Sequence, residues 1–356
     1  MASFSEAYQL KEKLSKQLLK KPGIHAVGVG LHRPKSPRSG AAVIVYTDKA
    51  LTANASRRPS RLTFNKNGKK IMVPVIYKPT PKIRSHALAK RSFTNRIRPV
   101  IAGYSVGTPT ASGTAGLIVS GRTGRQKYIF SNNHVLNETN SSLYSATLQP
   151  GGADGGSVPK DRVGRLNRFV KLSSTKPNYI DAAISLPIRN SILSPRYALV
   201  GVLPGYVTSY RIGDKFKKVG RTTGLVSGTV DSIHTDVKIS YEGYADLGTV
   251  TFKNQTVIKS SNPISLPGDS GSVWLTSKGN YAAAVNYAGS SDGRMSIAYP
   301  VQWAMQALNT KVAQPTGTGV IKKIQVPASK KQQYVRPLTP KQLKGIRVLR
   351  ASKKSK

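Results

Sequence analysis

A serine within a glycine-rich turn is the strongest chemical signal in the sequence. In the run Gly268-Asp269-Ser270-Gly271-Ser272, a turn would expose the Ser270 hydroxyl and aim backbone N–H groups at the same space. N–H groups placed in this way stabilise a developing oxyanion, as nucleophilic catalysis requires. Turns of this composition also join strands without any chemical role, so the run alone leaves both interpretations open.

A serine hydroxyl becomes a useful nucleophile only beside a base, and the base needs an acid to orient it. The candidate base is His134, which lies where a β-rich run meets a turn. The candidate acid is Asp181, in an apolar run where a carboxylate is costly unless it is paired. A histidine N–H would pair it and fix the imidazole tautomer. A structural histidine and a solvent-facing aspartate are the alternatives.

The other histidines are poorer candidates for the base. Two lie in the basic N-terminal region, one lies in a proline-rich segment, and the last follows a strand amid polar residues, where we expect it to be exposed. In chain order these are His25, His32, His86 and His234.

The elements that must position these residues are short and β-rich. From about residue 100, apolar runs alternate with turns of Gly, Ser, Thr, Asn and Pro, which is typical of an all-β barrel or sandwich. A helix that begins at Pro300 closes this region, residues 100–310. The predicted strands are 115–119, 127–130, 163–170, 180–186, 216–219, 228–233, 245–252, 272–276 and 281–287.

The N-terminal region has a different pattern. Apolar residues recur at three- and four-residue steps over residues 3–20, and strand-like runs follow at 41–47 and 71–77. Residues 1–80 are therefore predicted to form a small basic α+β domain. Residues 81–99 are rich in Pro, Arg and Lys, which indicates an extended basic linker.

Positive charge is concentrated at the two ends of the chain. The 356 residues carry 56 Lys and Arg against 14 Asp and Glu, a net charge of +42. The net charge is +19 over residues 1–100, +10 over 101–310 and +13 over 311–356. Such an excess repels itself in the compact state and suggests a polyanion partner. Residues 311–356 also lack periodicity, so we expect a basic tail that is disordered when free.

Composition excludes several classes of chemistry. The chain has no cysteine, so disulfides, thiolate metal sites and thiol catalysis are excluded. Residues 151–156 hold Asp154 among glycines, but a metal loop would need more oxygen ligands, so this segment is predicted to be a turn. We predict no metal and no cofactor.

The sequence offers no membrane segment. No apolar stretch approaches the roughly 18–20 residues of a membrane span. Lysines interrupt every apolar run in the first 25 residues, which argues against a secretory signal. We therefore expect no membrane partner, and a protein that is cytoplasmic or packaged in a virion.

The order of the candidate residues resembles that of the chymotrypsin-like serine peptidases. His134, Asp181 and Ser270 are separated by 47 and 89 residues, and the local runs 131–136, 179–184 and 268–271 are similar to the three catalytic motifs of that family. Residues 219–224 and 227–230 resemble a strand-turn segment of the bacterial branch of the family. The first domain, residues 98–103 and residues 149–156 resemble bacterial trypsin-like proteins related to the plant narrow-leaf proteins. The resemblance extends over about residues 20–310.

This resemblance implies a mainly β fold, with two six-stranded antiparallel barrels preceded by the small α+β domain and followed by the basic tail. His134 would be the general base toward Ser270, and Asp181 would hold the His134 ring. The backbone N–H groups of Gly268 and Ser270 would form the oxyanion hole. The implied activity is that of a serine endopeptidase acting on protein or peptide substrates.

The resemblance also implies a substrate pocket. Ile264 would lie at its floor, and no carboxylate occurs from Ser260 to Gly268, so we expect cleavage after uncharged, apolar residues. The opposite wall and the edge that binds substrate backbone would be formed by Tyr287, Ala288 and Gly289. That run could also be simply a core strand.

The acid beside the nucleophile, Asp269, needs a buried cation in this family. Arg221 or Lys218 would serve, and either could act without cleavage of the chain. A new N-terminus at Val100, released by cleavage after Pro99, is the alternative. An exposed Arg221 with no specific role is a further possibility.

The basic flanks leave two classes of function open. The first is a serine endopeptidase with flanks that could tether it to nucleic acid or another polyanion. The second is a nucleic-acid-associated structural protein that reuses a peptidase fold. The sequence does not predict an oligomeric state. The lysines that could touch phosphates without reading sequence are Lys322, Lys323, Lys330, Lys331, Lys353, Lys354 and Lys356.

Overall fold

The computed structural model describes residues 1–33, 36–48, 60–66, 68–84, 92–121 and 123–352. The chain is mainly β, which confirms the predicted class. None of the helices in these ranges is long and apolar enough to cross a membrane. The helices are α1 (Phe4–Leu18), α2 (Asn133–Leu136), α3 (Val301–Ala307) and α4 (Pro340–Gly345), with 3₁₀ turns at Pro37–Ser39, Ser92–Thr94, Gly152–Asp154, Asn190–Ile192 and Ala328–Gln333.

The N-terminal region packs a helix on a small sheet. Its strands are β1 (Ile24–Leu31), β2 (Ala41–Thr47), β3 (Arg61–Lys66), β4 (Lys69–Pro79) and β5 (Ile83–Arg84). Ser3 and Glu6 form a capping box that satisfies free N–H groups at the start of α1. Ala7 and Leu10 are buried against the sheet, in which β2 pairs with β1 on one side and runs parallel to β4 on the other.

The next part of the chain forms a sheet that presents the candidate base. The strands of this part of the chain are β6 (Val100–Ala102), β7 (Ser105–Val106), β8 (Gly113–Thr114), β9 (Leu117–Ser120), β10 (Lys127–Ser131), β11 (Ala146–Leu148), β12 (Arg162–Val170), β13 (Ala183–Pro187) and β14 (Leu193–Tyr197). Among these, β6 pairs with β14 and β7 with β8 outside the larger sheet. The order β11-β12-β13-β10-β9 is antiparallel throughout. Phe130 and Phe169 are fully buried. The sheet holds β10 rigidly up to the residue before the turn of α2.

The following strands close a ring. They are β16 (Lys215–Gly220), β17 (Gly224–Ser240), β18 (Thr249–Lys259), β19 (Val273–Thr276), β20 (Ala282–Ser290) and β21 (Met295–Pro300), and the short strand β15 (Gly205–Val207) pairs with β20 outside the ring. Pairing runs from β16 through β19, β20, β21, β18 and β17, and returns to β16. Phe216, Val230 and Trp274 are buried in one apolar cluster of this unit. The ring carries the candidate nucleophile between β18 and β19.

Strand β17 joins the ring to the N-terminal sheet. It has 17 residues, and its second half extends beyond the ring, where Ile233 faces Val29 and Val237 faces Ala26 of β1. One 13-stranded sheet therefore runs through both regions. The predicted domain of residues 1–80 has its helix and strands but does not stand apart. The sequence predicted only 228–233 as strand, because the additional pairing partner comes from about two hundred positions earlier in the chain.

A buried ion pair fastens α1 to this junction. The Nζ atom of Lys11 lies 2.8 Å from Asp236 Oδ1, and neither side chain is more than 3% exposed. Ser15 donates its hydroxyl to Asp236 Oδ2 at 2.8 Å. Two charges buried in this way tolerate the loss of solvent only because each remains paired and hydrogen-bonded.

The predicted linker, residues 81–99, is not simply extended. Strand β5 lies between the end of β17 and the end of β20. Phe93 packs edge-on against Tyr104, with ring centroids 5.1 Å apart. His86 lies outside the described residues. The prediction missed the pairing of β5 because backbone hydrogen bonds to free strand ends leave no periodic pattern in a two-residue segment.

The prediction of a disordered tail is wrong for residues 311–352. The strands β22 (Lys311–Val312), β23 (Val320–Lys322) and β24 (Val348–Arg350) pair with β9, β15 and β12. Val335 and Leu338 are buried, and Trp303 Nε1 donates to the Arg336 carbonyl at 2.8 Å. The sequence did not predict this order because the segment pairs with open sheet edges through backbone hydrogen bonds, which do not require many apolar residues.

His234 is buried, not exposed as the sequence suggested. It lies at a left-handed turn within β17 with φ at 51°, and its Nε2 atom is 3.0 Å from the Tyr334 carbonyl oxygen. Its ring meets the Tyr8 ring edge-on. Burial, aided by the charges of Arg336 and Lys11, lowers the pKa of His234 to about 3. The neutral ring therefore joins α1, β17 and the C-terminal segment.

We expect His234 to make the fold acid-sensitive. An unfolded histidine binds a proton below about pH 6.5, whereas the folded ring stays neutral down to about pH 3. The free energy of unfolding should therefore fall as pH drops below about 6.5, by about 1.4 kcal/mol per pH unit from this group. His234→Asn, which tolerates a positive φ, should flatten that part of the profile. Urea unfolding between pH 4.5 and 7.5 measures it, with His32→Asn as the control. An unchanged slope in His234→Asn would contradict the assignment.

Candidate active site

His134 is held at the end of a rigid strand. Strand β10 stops at Ser131, and the one-turn helix α2 begins two residues later. Asn132 is fully buried, and its Nδ2 atom donates to the Asp181 carbonyl oxygen at 2.6 Å. The His134 side chain remains 13% exposed. The ring is therefore fixed from behind while one side remains open to solvent.

Asp181 is fully buried directly behind His134. Its Oδ2 atom lies 2.5 Å from His134 Nδ1. Its Oδ1 atom accepts the backbone N–H groups of Asn133 at 2.6 Å and His134 at 3.3 Å. Tyr241 donates its hydroxyl to Oδ2 at 2.7 Å. A carboxylate that accepts on both oxygens in a dry site favours an N–H at Nδ1, which leaves Nε2 free to accept a proton.

Four tyrosines surround this carboxylate, and sequence reasoning missed their role. Tyr299 donates to the Asp181 carbonyl oxygen at 2.6 Å, and the ring of Tyr244 lies edge-on to His134. Burial and then the Asp181 charge raise the pKa of Tyr241, Tyr244, Tyr287 and Tyr299 well above the usual value. The phenols therefore stay protonated. These four tyrosines lie at least 60 positions from Asp181 along the chain, so local sequence offers no signal for them.

Ser270 lies in the turn that the sequence predicted. Gly268 and Gly271 have φ values of 91° and 92°, a region that favours glycine. The Ser270 hydroxyl donates to the Tyr287 carbonyl oxygen at 3.3 Å, and within the described residues no hydrogen bond joins it to His134. The Ser270 carbonyl accepts the Thr114 N–H at 2.8 Å, which ties the turn to β8.

The serine turn and the histidine helix meet across Gly113. A methyl group at Gly113 would lie 2.5 Å from Val135 Cγ2 and 2.9 Å from the Ser270 carbonyl oxygen. Val135 directly follows His134 in α2. Only glycine allows this close approach between α2 and the serine turn.

Two backbone donors beside Ser270 are unused. Among the described residues, neither the Gly268 N–H nor the Ser270 N–H donates a hydrogen bond within the chain. The neighbouring N–H groups are all engaged: Asp269 donates to Leu266 and Gly271 to Asn286. Free N–H groups at alternate positions of a turn form a site for a developing oxyanion.

The buried partner of Asp269 is Lys218. Both side chains are fully buried, and Lys218 Nζ lies 3.6 Å from Asp269 Oδ2. Burial lowers the pKa of Lys218, and the Asp269 charge opposes that shift. Asp269 also accepts the backbone N–H groups of Thr222, Thr223 and Leu266. These bonds fix the residue that precedes Ser270.

Arg221 has a different partner, which the sequence did not identify. It is 1% exposed and makes a bidentate ion pair with Asp154, in the glycine-rich segment that was predicted to be only a turn. Ser105 donates its hydroxyl to the same carboxylate at 2.6 Å. A methyl group at Gly268 would lie 2.4 Å from Arg221 Nη1. The guanidinium therefore packs directly against the serine turn and joins it, through the ion pair with Asp154, to residues 151–156.

The predicted pocket residues are all buried, but in different clusters. Ile264 packs with Trp274 and Ala284, whereas Tyr287 and Ala288 pack with the core around Phe252. Ser265 donates to Asn286 Oδ1 at 2.9 Å, which ties the segment of Ile264 to β20. Gly289, also buried, pairs with Arg84 of β5. A cavity of about 770 Å³ is lined by residues 139–141, 170–180 and 344–347 together with Ala245 and Leu247, and it includes none of the predicted pocket residues.

The predicted polyanion contacts lie on the C-terminal segment. Lys322, Lys323, Lys330 and Lys331 are exposed, and in the described part of the chain none of them pairs with an acid. Lys322 Nζ lies 4.7 Å from the centre of the Tyr281 ring. Lys353, Lys354 and Lys356 lie outside the described residues. The described lysines are far in sequence from Ser270 and none contacts it.

The comparison with solved structures matches the chain to chymotrypsin-like serine proteases. A glutamic-acid-specific serine protease is 22% identical, over 60% of this chain and 100% of that one, with a TM-score of 0.44. The Nocardiopsis protease NAPase is 20% identical over 60% and 99%, with a TM-score of 0.43. Thermobifida fusca protease A is 19% identical over 60% and 98%, with a TM-score of 0.41. No family model and no curated protein matches the chain.

Removing the buried cation beside the nucleophile turn should destabilise the protein. Lys218→Met leaves the Asp269 carboxylate buried without its ion partner, and breaking such a pair typically costs about 3–5 kcal/mol. Urea unfolding at pH 7 measures the loss. Lys217→Met is the matched control, because Lys217 is half-buried on the same strand and makes no ion pair within the described residues. Equal stability of the two variants would show that the Lys218–Asp269 pair has no structural role.

Proposed function

We propose that this protein is a serine endopeptidase that hydrolyses peptide bonds with Ser270, His134 and Asp181. The observation that carries the proposal is the buried Asp181–His134 pair, 2.5 Å between Oδ2 and Nδ1, beside a serine turn with two unused N–H groups. In this proposal the sheet of β9–β13 and the ring of β16–β21 correspond to the two six-stranded barrels implied by the sequence.

The reaction begins with proton transfer from Ser270. As Oγ bonds to the substrate carbonyl carbon, His134 Nε2 takes its proton and the carbonyl π electrons move to the oxygen. The N–H groups of Gly268 and Ser270 hold that oxyanion. The carbonyl re-forms as the C–N bond breaks, and His134 gives its proton to the leaving amine. Water then repeats both steps on the acyl ester, releasing the acid and restoring Ser270.

Reaction requires one local change at the nucleophile. Rotation about the Ser270 Cα–Cβ bond would release Oγ from the Tyr287 carbonyl and turn it toward His134. Catalytic hydrogen bonds that are long without substrate commonly tighten when substrate binds. In this proposal, that rotation precedes the attack of Oγ on the substrate.

Activity in this proposal does not depend on a new N-terminus at Val100. Asp269 already has Lys218 as its cation and accepts three backbone N–H groups. Val100 is buried in β6, where it pairs with Leu193 of β14. The site would therefore be assembled in the uncut chain.

The proposed specificity is for uncharged residues before the cleaved bond. No acidic residue lies between Ser260 and Gly268, and the segment of Ile264 is packed against apolar residues of the ring. A substrate Lys or Arg would find no carboxylate there, and desolvating its charge without a partner is costly.

The basic segment supports a second, separate proposal of polyanion tethering. The four described lysines at positions 322, 323, 330 and 331 are exposed and lie on a segment that the fold holds in place. A fixed row of cations binds phosphates through counterion release without reading sequence. The alternative, a nucleic-acid-associated structural protein, would retain this binding and lack hydrolysis.

Ser270→Ala should abolish hydrolysis of fluorescein-labelled casein and leave the fold intact. Loss of a triad member typically lowers the rate by several orders of magnitude. Ser277→Ala, in an exposed turn of the same ring, is the control and should retain activity. Hydrolysis by Ser270→Ala at the wild-type rate would refute the proposal.

Tyr241→Phe should lower kcat by about tenfold while leaving KM nearly unchanged. The change removes the hydroxyl that orients Asp181 Oδ2, and one buried hydrogen bond to a charged group is worth about 1.5–3 kcal/mol. Tyr244→Phe is the matched control, since its ring also lies against His134 but its hydroxyl makes no bond to Asp181. Equal kcat values for the two variants would remove Tyr241 from the site.

Removing the charges of the exposed C-terminal lysines should test polyanion binding without unfolding the chain. Replacing Lys322, Lys323, Lys330 and Lys331 by Gln should weaken binding to duplex DNA and flatten the slope of log affinity against log salt by about 0.9 per lost contact. Casein hydrolysis should persist. The control replaces four exposed lysines elsewhere: Lys160, Lys171, Lys176 and Lys278. Identical affinity and slope in the two quadruple variants would show that the C-terminal lysines do not engage polyanions.

A further inference from the structure

The end of β20 is the backbone edge nearest to the candidate nucleophile. Up to Asn286, the backbone of β20 is hydrogen-bonded to the residues that follow Ser270. Gly271 donates to the Asn286 carbonyl, and Asn286 donates to the Ser272 carbonyl, both at 2.9 Å. Beyond it lie Tyr287 to Ser290, and the Tyr287 carbonyl oxygen is 3.3 Å from Ser270 Oγ. An extended peptide bound along this edge would bring its carbonyl carbon toward Ser270.

A segment of the chain itself already occupies this edge. Strand β5 pairs antiparallel with β20, Arg84 facing Gly289 and Ile83 facing Ser290. On its other side Arg84 faces Ser240 of β17. Ile83 is only 2% exposed and belongs to the apolar core that contains Tyr241 and Tyr287. Both the backbone and a side chain of β5 are therefore bound where an extended peptide would lie.

The direction of β5 is that of a substrate. In an antiparallel register, each step forward along one strand faces one step back along the other. From Ile83, opposite Ser290, to Arg84, opposite Gly289, β5 therefore runs in the direction of Tyr287, whose carbonyl accepts the Ser270 hydroxyl. A peptide cleaved by Ser270 would approach with the same polarity, its N-terminal side at Ser290 and its C-terminal side at Ser270.

The contact is short enough to be reversible. Strand β5 has two residues, whereas β17, β18 and β20 have 17, 11 and 9. Pro79 and Pro81 precede it and cannot donate backbone hydrogen bonds, so the pairing does not extend backward as a regular strand. Segments held by few contacts open locally at a small fraction of the global unfolding free energy.

We propose that β5 is an intramolecular competitor that occupies the substrate-binding edge of this site. The inference rests on the proposed function, and it adds a regulatory role for the segment that joins the N-terminal sheet to the rest of the chain. A peptide substrate binds only when β5 leaves the edge, so the apparent KM exceeds the intrinsic one by the reciprocal of the undocked fraction. Any event that draws β5 away would activate the enzyme.

The test is a comparison of KM between two proline variants of the full chain. Arg84→Pro removes an N–H from the paired register and should undock β5. Lys82→Pro makes the same change, with the same loss of charge, one residue outside the pairing and is the matched control. With β5 docked about 90–99% of the time, Arg84→Pro should lower the KM for fluorescein-labelled casein by about 10- to 100-fold, with kcat unchanged. Lys82→Pro should retain the wild-type KM.

A second variant and a peptide keep the test decisive. Ile83→Ala removes the buried side chain and leaves the backbone unchanged, so it should also lower KM. It provides the test if Arg84→Pro fails to fold. The synthetic peptide of residues 78–84 should inhibit the undocked variant competitively, and inhibit the wild type at least tenfold more weakly. Equal KM in wild type, Arg84→Pro and Ile83→Ala, all hydrolysing casein, would show that β5 is a permanent strand and overturn the inference.

Failure of the proposed function would give a different result. If no variant hydrolyses casein, Ser270 is not the nucleophile of a peptidase. Binding of the fluorescein-labelled 78–84 peptide to the Arg84→Pro and wild-type proteins, measured by anisotropy, would still report whether β5 covers the edge. Tighter binding to Arg84→Pro supports the occupancy of the edge by β5, and equal binding overturns it.

Discussion

The candidate site depends on one constraint, the complete burial of the Asp181 carboxylate. A buried charge is tolerated only when donors surround it, and Asp181 has four: two backbone N–H groups of α2, the ring of His134 and the hydroxyl of Tyr241. Three of these donors belong to α2, which follows β10, and the fourth belongs to the residue directly after β17. Satisfying one carboxylate thereby fixes the relative placement of these elements.

The same rule organises the rest of this very basic chain. Only 14 acidic residues are available against 56 basic ones, and several of them are buried at junctions. Asp236 pairs with Lys11 of α1, and Asp154 pairs with Arg221, which packs against the serine turn. Asp269, which belongs to the serine turn, pairs with Lys218 of β16. Each pair joins segments that are distant in sequence. Loss of either partner would leave an unpaired charge, so these aspartates matter to the fold well beyond their number.

The sequence predicted the local features of the site and missed those that depend on distant contacts. Gly268, Ser270, His134 and Asp181 could be found because a turn, a strand end and a lone buried acid each leave a local pattern. Whether the three side chains act together stays a prediction. The mainly β class was also predictable, since short apolar runs between turn residues are a local property.

Other features had no local signal. The Tyr241 hydroxyl reaches Asp181 only because β17 extends beyond the ring, and that extension is stabilised by β1. Likewise, the burial of His234 depends on Tyr8 and on the Tyr334 carbonyl, and the order of residues 311–352 depends on sheet edges elsewhere. The charge excess of the tail predicted disorder because amino-acid composition indicates how well a segment is solvated. It does not indicate whether a distant strand is available for backbone pairing.

The central claim is that Asp181, through His134, activates Ser270. It is tested most directly by the rate at which a fluorophosphonate labels the protein, with the labelled residue located by mass spectrometry. The account predicts labelling of Ser270 alone, and labelling that is slower by several orders of magnitude in a folded Asp181→Asn variant. Asp246→Asn, at an exposed position with a positive φ, should label at the wild-type rate. Undiminished labelling of Asp181→Asn, or labelling at another residue, would contradict the account.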